Sequence, residues 1–405
     1  MKNKTHTSHA LSSSTRRAIF LLSLATFSSM ALQRICDPML PELSRVFSAP
    51  IGEVSQVISF FAIAYGLMQL FYGPVGDRFG KYRVVMLATM GCSVGSLVCA
   101  LTPNLNLLVA ARIGTALAAA AIIPLSLAWV GDVVQYEYRQ ETLARVGLGT
   151  MLGITGGQLF GGLLTDTLGW RWAFVLMTTT FAVVSFLLWR QLPRLDPMAQ
   201  HDHAPVGFFK QLQKVAQNPW ARTFLGLAVI EGATVFGVLA ITAAHLHQVH
   251  HISLTLAGGT TALFGLGGMA YMGTAKITIR RFGEVGLARY GGNLFAMSFL
   301  VIAFTPWWQL ALPACFAAGF SFAMFHNTMQ AKATQMVPTA RGTGVTLFAG
   351  SLFLGQSLGV LVLAELFSHF NSQYILGVDA VIVWGLGLFL SNAIAKRNAT
   401  QADHA

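Results

Sequence analysis

Charged residues are scarce in this chain. Only 10% of its 405 residues are Asp, Glu, Lys or Arg, whereas 54% are hydrophobic and the mean hydropathy is +0.61. A soluble protein of this length uses roughly a quarter of its residues as charged groups to cover its surface. The shortage therefore excludes an ordinary soluble protein, and no polar stretch is long enough to fold around a core of its own. The composition indicates an integral membrane protein.

Cofactor and metal motifs are also missing from the sequence. The four cysteines lack the spacing of a metal site, and Cys92 and Cys99 lie about two turns apart on one predicted helix, too far to form a disulfide. No Gly-x-x-x-x-Gly-Lys-Ser/Thr loop is present to bind ATP. His201 and His203 form only a weak metal signal in a polar segment, for which a solvated linker is the better interpretation. We expect no cofactor, no metal and no enzymatic activity.

Long apolar runs are what the sequence has instead. About 20 consecutive apolar residues span the hydrocarbon core of a bilayer. Runs of this length predict twelve membrane helices, near 18–40, 54–75, 82–102, 106–130, 144–165, 172–192, 223–245, 256–275, 288–306, 309–331, 343–367 and 374–394. The expected fold class is an all-α integral membrane protein.

The basic residues fix the expected orientation in the membrane. With a cytoplasmic N-terminus, nearly all of the 26 Lys and Arg residues fall in cytoplasmic segments, and the outer loops keep only Arg45 and Arg171. This asymmetry follows the positive-inside rule and places both termini in the cytoplasm. Contact with anionic lipid headgroups accounts for the net charge of +11, so no nucleic-acid partner is needed.

The polar segment in the middle of the chain divides the predicted helices six and six. Apolar residues at 208, 209, 212 and 215 recur at helical spacing, which predicts a short amphipathic helix on the membrane surface. We divide the chain into a cytoplasmic tail at 1–17, a six-helix half at 18–192, a linker at 193–222, a second six-helix half at 223–394 and a tail at 395–405.

Two short echoes indicate that the halves are related by duplication. Arg78-Phe79-Gly80 recurs as Arg281-Phe282-Gly283, and Gly157-Gln158-x-x-Gly161 recurs as Gly355-Gln356-x-x-Gly359. Each pair occupies matching helix positions in the two halves. Repeats of this kind are typical of transporters whose substrate site lies near the membrane midplane.

A charged, glycine-rich segment joins the second and third apolar runs, and it resembles the corresponding loop of the major facilitator superfamily. The resemblance implies twelve helices in two pseudo-symmetric halves and a gating role for the segment. The resemblance implies that Asp77 caps the start of helix eleven, near Arg341, where an anion stabilises the positive end of the helix dipole. The alternative is a basic loop that only sets topology. The signature residues are Gly73, Gly76, Asp77, Arg78, Gly80, Lys81 and Arg83.

Glycines recur every four residues in predicted helix five, and this ladder is similar to the signature of the drug–proton antiporter branch of the superfamily. One glycine-lined face allows close backbone approach to a neighbouring helix. The branch pattern has proline where this chain has Gln158, which keeps a symporter or uniporter open, and tight packing alone is a further alternative. The residues concerned are Gly149, Gly153, Gly157, Gln158, Gly161 and Gly162.

Three charged residues in the apolar runs are candidates for proton coupling. Glu231 lies nine residues beyond Arg222, about 13 Å along helix seven and near the midplane. Burying a carboxylate so far from water costs free energy, so its presence there indicates a function. The alternative is a structural, protonated acid. Asp37 lies near the outer end of helix one and either joins in coupling or pairs with Arg34 one turn away.

Arg112, in predicted helix four, resembles the arginine motif of the superfamily. It either extends to the membrane surface or needs an anionic or carbonyl partner facing the central cavity. On helix ten, His326, Asn327 and Gln330 form a polar cluster that either contacts substrate or bonds between helices. We count Glu231 and Arg34 with this cluster as candidate substrate-binding residues.

These features predict a secondary transporter that exports small amphipathic compounds in exchange for protons. The alternatives are a symporter or uniporter of a sugar or small metabolite, and a membrane receptor or scaffold that does not transport. The expected partners are a small-molecule substrate, protons and membrane lipids. We expect a monomer in the inner membrane of a bacterium.

Overall fold

The computed structural model describes residues 12–194, 213–215, 217–337 and 341–402, and all regular elements in these ranges are helical. The predicted surface helix at 208–215 and the pair His201 and His203 lie almost wholly outside them. The α-helices are α1 (Ser13–Arg34), α2 (Leu40–Phe47), α3 (Ile51–Val54), α4 (Gln56–Phe79), α5 (Lys81–Leu101), α6 (Leu105–Ala119), α7 (Ile122–Val133), α8 (Tyr136–Thr167), α9 (Trp170–Gln191), α10 (Pro219–Glu231), α11 (Gly237–His250), α12 (Leu254–Phe304), α13 (Ala311–Ala333), α14 (Arg341–His369) and α15 (Ser372–Ala402).

Ten helical stretches among the described residues are long and apolar enough to cross a membrane. One of them, α12, has 51 residues and contains a kink at Gly283, where φ is 60° and ψ is 178°. This backbone conformation favours glycine, and it separates the two helices predicted at 256–275 and 288–306. The predicted all-helical membrane fold is confirmed, while the count of twelve spans stays a prediction.

Helix α1 ends at Arg34, nearly two turns before its predicted boundary at residue 40. After Arg34 the chain turns and forms a short 3₁₀ helix at Asp37–Met39, with Pro38 near its start. Proline lacks a backbone N–H and cannot continue the α-helical hydrogen-bond ladder. The interruption places Arg34 and Asp37 together inside the bundle, with no more than 1% of either side chain exposed.

The predicted seventh helix contains a π-helical turn directly after Glu231. Residues Gly232–Phe236 adopt this turn between α10 and α11, and the hydroxyl of Thr234 donates to the carbonyl of Ile230 at 2.8 Å. A side chain at Gly232 would collide with the backbone of α14 at Leu352. The π turn therefore lies against α14 at a point where only glycine fits, and π turns of this kind occur frequently at functional sites.

The glycine ladder of α8 forms a close-packing face, as the sequence predicts, and the structure shows that the helix it meets is α1. A side chain added at any of the four ladder positions would collide with backbone atoms of α1 or of the turn that follows it. Gly162 approaches the backbone of Leu254, at the start of α12. Helix α8 therefore packs against both α1 and α12. Helix α12 belongs to the C-terminal half, which consists of α10–α15.

The segment 73–83 is mostly helical, so its prediction as a loop is wrong. Helix α4 continues to Phe79, and Gly80 alone makes the turn, with φ 87° and ψ 118°, before α5 begins. An ion pair of 3.0 Å between Asp77 and Lys81 joins the two helix ends. Gly76 packs against Leu125, whereas a side chain at Gly73 would meet no atom within 4 Å.

Candidate substrate and proton site

Glu231 is fully buried at the end of α10. Its Oε1 atom lies 2.9 Å from Nδ1 of His326 on α13, and its Oε2 atom has no hydrogen-bond partner. Burying a carboxylate without full compensation carries a large free-energy cost. The contact with His326 gives the carboxylate a hydrogen-bond partner, because a ring nitrogen of imidazole can act as the donor.

Aromatic rings hold His326 in place. Its ring stacks on Phe322 at 5.0 Å between centroids and tilts against Phe348 of α14 at 5.6 Å. The imidazole is 17% exposed, whereas Glu231 has no exposed surface. His326 is therefore the partly exposed member of this buried pair.

The rest of the predicted polar cluster on α13 does not assemble around Glu231. Asn327 and Gln330 are exposed, and no hydrogen bond between described residues joins either side chain to Glu231 or His326. Their contact with substrate stays a prediction, while His326 is the member of the cluster that reaches the carboxylate.

A second charged centre lies at the end of α1. Nη1 of Arg34 is 3.6 Å from Oδ2 of Asp37, so the predicted local pair is present. The guanidinium also lies over the ring of Phe236 at 4.3 Å, in the π turn that follows Glu231. Phe236 in turn contacts Phe322 at 5.1 Å, so two aromatic rings separate the Arg34 centre from the His326 centre.

Two glutamines at matching positions of the halves bind this ion pair from opposite sides. Nε2 of Gln158 on α8 donates to Oδ2 of Asp37 at 2.8 Å, and Nη2 of Arg34 donates to Oε1 of Gln356 on α14 at 3.2 Å. Oε1 of Gln158 also accepts from the hydroxyl of Thr261 on α12 at 3.0 Å. In the sequence the two glutamines appear as a repeated motif, which does not indicate that both contact the ion pair of Arg34 and Asp37.

Arg112 does not extend to the membrane surface. It is fully buried, and it donates from Nε to the carbonyl of Val57 at 3.1 Å and from Nη1 to the carbonyl of Leu32 at 3.0 Å. The guanidinium lies 4.0 Å from the centre of the Phe61 ring. The partners of Arg112 are therefore backbone carbonyls, one of the two kinds of partner that the sequence analysis considered. Through them Arg112 joins α6 to α1 and α4.

Asp379 is a buried carboxylate that the sequence analysis missed. Its side chain is 3% exposed on α15, and its Oδ2 atom has no hydrogen-bond partner. The depth of Asp379, seven residues or about 10 Å beyond Ser372, was the available signal.

The two ends of the bundle differ in how the halves meet. At the end away from the chain termini, Oδ2 of Asp166 accepts hydrogen bonds from the backbone N–H and the hydroxyl of Thr255 at the start of α12. At the same end the N–H of Gly52 donates to the hydroxyl of Ser368 at 3.1 Å. These bonds cross between the halves and close this end.

At the end that carries the termini, two ion pairs each lie within one half of the chain. Lys81 pairs with Asp132 at 2.6 Å, and in the C-terminal half Glu284 pairs with Lys332 at 2.6 Å. The residues just before Arg341 lie outside the described part of the chain, so the expected cap of α14 by Asp77 stays a prediction. Within the described residues, no group of three or more His, Cys, Asp or Glu side chains is placed to hold a metal ion.

A helical bundle with long apolar spans and buried charges between its halves defines a polytopic membrane protein of the transporter type. The sequence model of the Major Facilitator Superfamily matches residues 22–360, and the chain belongs to that superfamily. Its fold is similar to that of a bacterial homologue of the human lysosomal transporter Spinster, in an inward-facing, unoccupied conformation. That match has a TM-score of 0.76 and 17% identity, and covers 96% of this chain and 99% of the other.

Curated relatives vary in the part of the chain that they match. YwfA of Bacillus subtilis, an MFS-type transporter, is 24% identical over 64% of this chain and 63% of its own length. A probable sugar efflux transporter of Mannheimia succiniciproducens is 20% identical over 92% of this chain and 94% of its length. EmrY of Escherichia coli, a probable multidrug resistance protein, is 30% identical over 38% of this chain and 30% of its length. The chain thus matches less than two thirds of the length of YwfA and of EmrY.

Proposed function

We propose that this protein is a secondary transporter that exports small amphipathic compounds in exchange for protons. The observation that carries the proposal is the buried pair of Glu231 and His326, in which one carboxylate oxygen has no partner. A carboxylate that alternates between protonated and ionised forms can couple proton release to a change of state, and a receptor or scaffold has no use for so costly a group. Relatives with efflux and multidrug resistance in their names support the direction and the substrate class.

The proposed cycle is alternating access between the two halves. With the termini in the cytoplasm, the end closed by Asp166 and Thr255 faces outward, so the described conformation is closed to the outside. Substrate and proton would compete at Glu231, with the charged centre at Arg34 and Asp37 close by. We further propose that the protein acts as a monomer in the bacterial cytoplasmic membrane.

Proton-coupled export is tested on the full chain in proteoliposomes with an internal pH dye, using tetraphenylphosphonium and ethidium as probes. An imposed proton gradient should drive probe accumulation, with protons moving in the opposite direction. Glu231→Gln keeps the shape and hydrogen-bonding capacity of the side chain but cannot exchange a proton, so uphill accumulation should be lost. Glu141→Gln, which breaks an exposed ion pair with Arg145, is the matched control and should behave as the wild type.

Two results would contradict the proposal. If Glu231→Gln still concentrates the probe with unchanged proton stoichiometry, Glu231 is structural, and Asp37 is the next candidate. If protons and probe move in the same direction, the protein is a symporter. Gln158 favours a symporter as the second candidate, because it stands where the drug–proton antiporter branch has proline.

A further inference from the structure

A cluster of uncharged polar side chains lies between α1 and α4, next to the charged centre at Arg34. Ser29 and Gln33 lie one turn apart on α1, and Tyr65 and Gln69 lie one turn apart on α4. Residues four positions apart share one face of a helix. The hydroxyl of Tyr65 lies beside Ser29, Gln33 and Gln69, so the two faces meet.

The polar atoms of this cluster are buried but largely unbonded. Both amide atoms of Gln33, the hydroxyl of Tyr65 and Oε1 of Gln69 have no hydrogen-bond partner, although these side chains are at most 8% exposed. Each buried polar group without a partner costs about 1–3 kcal/mol. Because these atoms lie close together without meeting the geometry of a hydrogen bond, they keep bonding capacity that a ligand could use.

The cluster lies at the interface between the two halves. The ring of Phe353, on α14 of the C-terminal half, contacts the ring of Tyr65 at 4.6 Å between centroids. A side chain at Gly66 would collide with Phe353, so α14 approaches α4 closely beside the cluster. In an alternating-access cycle the halves separate, and separation at this contact removes Phe353 and uncovers the polar atoms to the central cavity.

We propose that Gln33, Tyr65 and Gln69, with Ser29, form a subsite that binds a neutral, hydroxyl-bearing group of the transported molecule, and that Phe353 covers it. The cluster offers the amide donor of Gln33, the amide acceptors of Gln33 and Gln69, and the hydroxyl of Tyr65, which can donate or accept a hydrogen bond. None of these side chains carries a charge. A hydroxyl both donates and accepts, so neighbouring hydroxyls of a ligand can satisfy all of these atoms at once. The inference rests on the proposed transport function and names part of its substrate.

The subsite is tested by equilibrium binding to the purified full-length protein with two probes. Phenyl β-D-glucopyranoside carries hydroxyls and no charge, whereas tetraphenylphosphonium is a cation without hydrogen-bonding groups. Gln33→Leu and Gln69→Leu should each weaken glucoside binding at least tenfold and leave phosphonium binding unchanged. Their thermal stability should stay the same or rise, because an apolar side chain replaces an unbonded polar one.

Tyr65→Phe and Tyr82→Phe form a matched pair. Both tyrosine hydroxyls are buried without a partner, but Tyr82 lies at the start of α5, outside the cluster. Tyr65→Phe should weaken glucoside binding, and Tyr82→Phe should not. The subsite is overturned if the wild type does not bind the glucoside, or if the three cluster variants bind it as the wild type does. Because this is a binding measurement without a proton gradient, its failure is distinct from a failure of Glu231 to couple transport.

Discussion

Gln158 donates a 2.8 Å hydrogen bond to the buried carboxylate of Asp37, at the point where α1 stops being helical. The same glutamine accepts from Thr261 in the other half of the bundle, at 3.0 Å. One side chain therefore satisfies a charge within its own half and bonds across to the second half. A proline at this position, which the resemblance leads one to expect, could do neither.

Gln158→Leu should destabilise the protein by about 1.5–3 kcal/mol, because Asp37 loses its amide donor and hydrogen bonds to charged groups contribute about that much. The measurement is the free energy of unfolding of the purified protein in detergent. A double-mutant cycle with Thr261→Val separates the bond within the half from the bond between halves. Gln356→Leu, which removes the longer bond to Arg34, should cost less. An unchanged stability in Gln158→Leu would show that Arg34 alone satisfies Asp37.

Arg112→Leu should reduce both stability and transport. The substitution removes two hydrogen bonds that join α6 to α1 and α4, at an expected cost of about 1–3 kcal/mol. Arg112→Lys should show intermediate stability and transport. A lysine ammonium keeps the positive charge but lacks the planar guanidinium that donates to two carbonyls while it lies over Phe61. Unfolding measurements and proteoliposome transport are compared for both variants. If the Leu variant is as stable and active as the wild type, the two carbonyl contacts are dispensable.

The sequence predicted those features of this protein that depend on local composition or helical spacing. Apolar runs predicted the membrane helices, the four-residue repeat predicted a glycine face for close packing on α8, and the rarity of charge in apolar runs singled out Glu231. The partners of these groups depend on the tertiary fold. Nothing in one sequence indicates that Gln158 and Gln356 share an ion pair on α1, or that α4 remains helical through Pro74 and turns only at Gly80.

Asp379→Asn should leave proton-coupled transport unchanged. Asp379 lies between Gly377 and Gly387, two residues of α15 that pack against α12. No described hydrogen bond or ion pair connects it with Glu231. Because its Oδ2 atom is buried without a partner, the neutral amide should keep or raise the melting temperature. Proton flux and thermal unfolding are measured together. A folded variant that has lost proton movement would identify Asp379 as a second proton carrier.

Asp166→Asn should open the end of the bundle that lies away from the termini. The carboxylate of Asp166 accepts two hydrogen bonds from Thr255, in the first turn of α12, where the helix dipole favours an anion. A charged cap at such a site contributes about 0.5–2 kcal/mol. Its loss should shift the equilibrium between closed and open states about 2- to 30-fold toward the open one, since each 1.4 kcal/mol is a factor of ten.

The shift is measured as the rate at which a membrane-impermeant maleimide labels a cysteine introduced at Thr165, a buried position one residue from Asp166. The four native cysteines are buried and free, so they contribute little background. Thr255→Val should increase labelling less than Asp166→Asn, because it keeps the backbone N–H, and the two changes together should not be additive. Glu42→Gln is the control, since it breaks an exposed pair with Arg45 within a single helix at the same end. Labelling of the Asp166→Asn protein at the rate of this control would mean that Gly52, Ser368 and the close backbone packing of Gly162 keep the end closed without the cap.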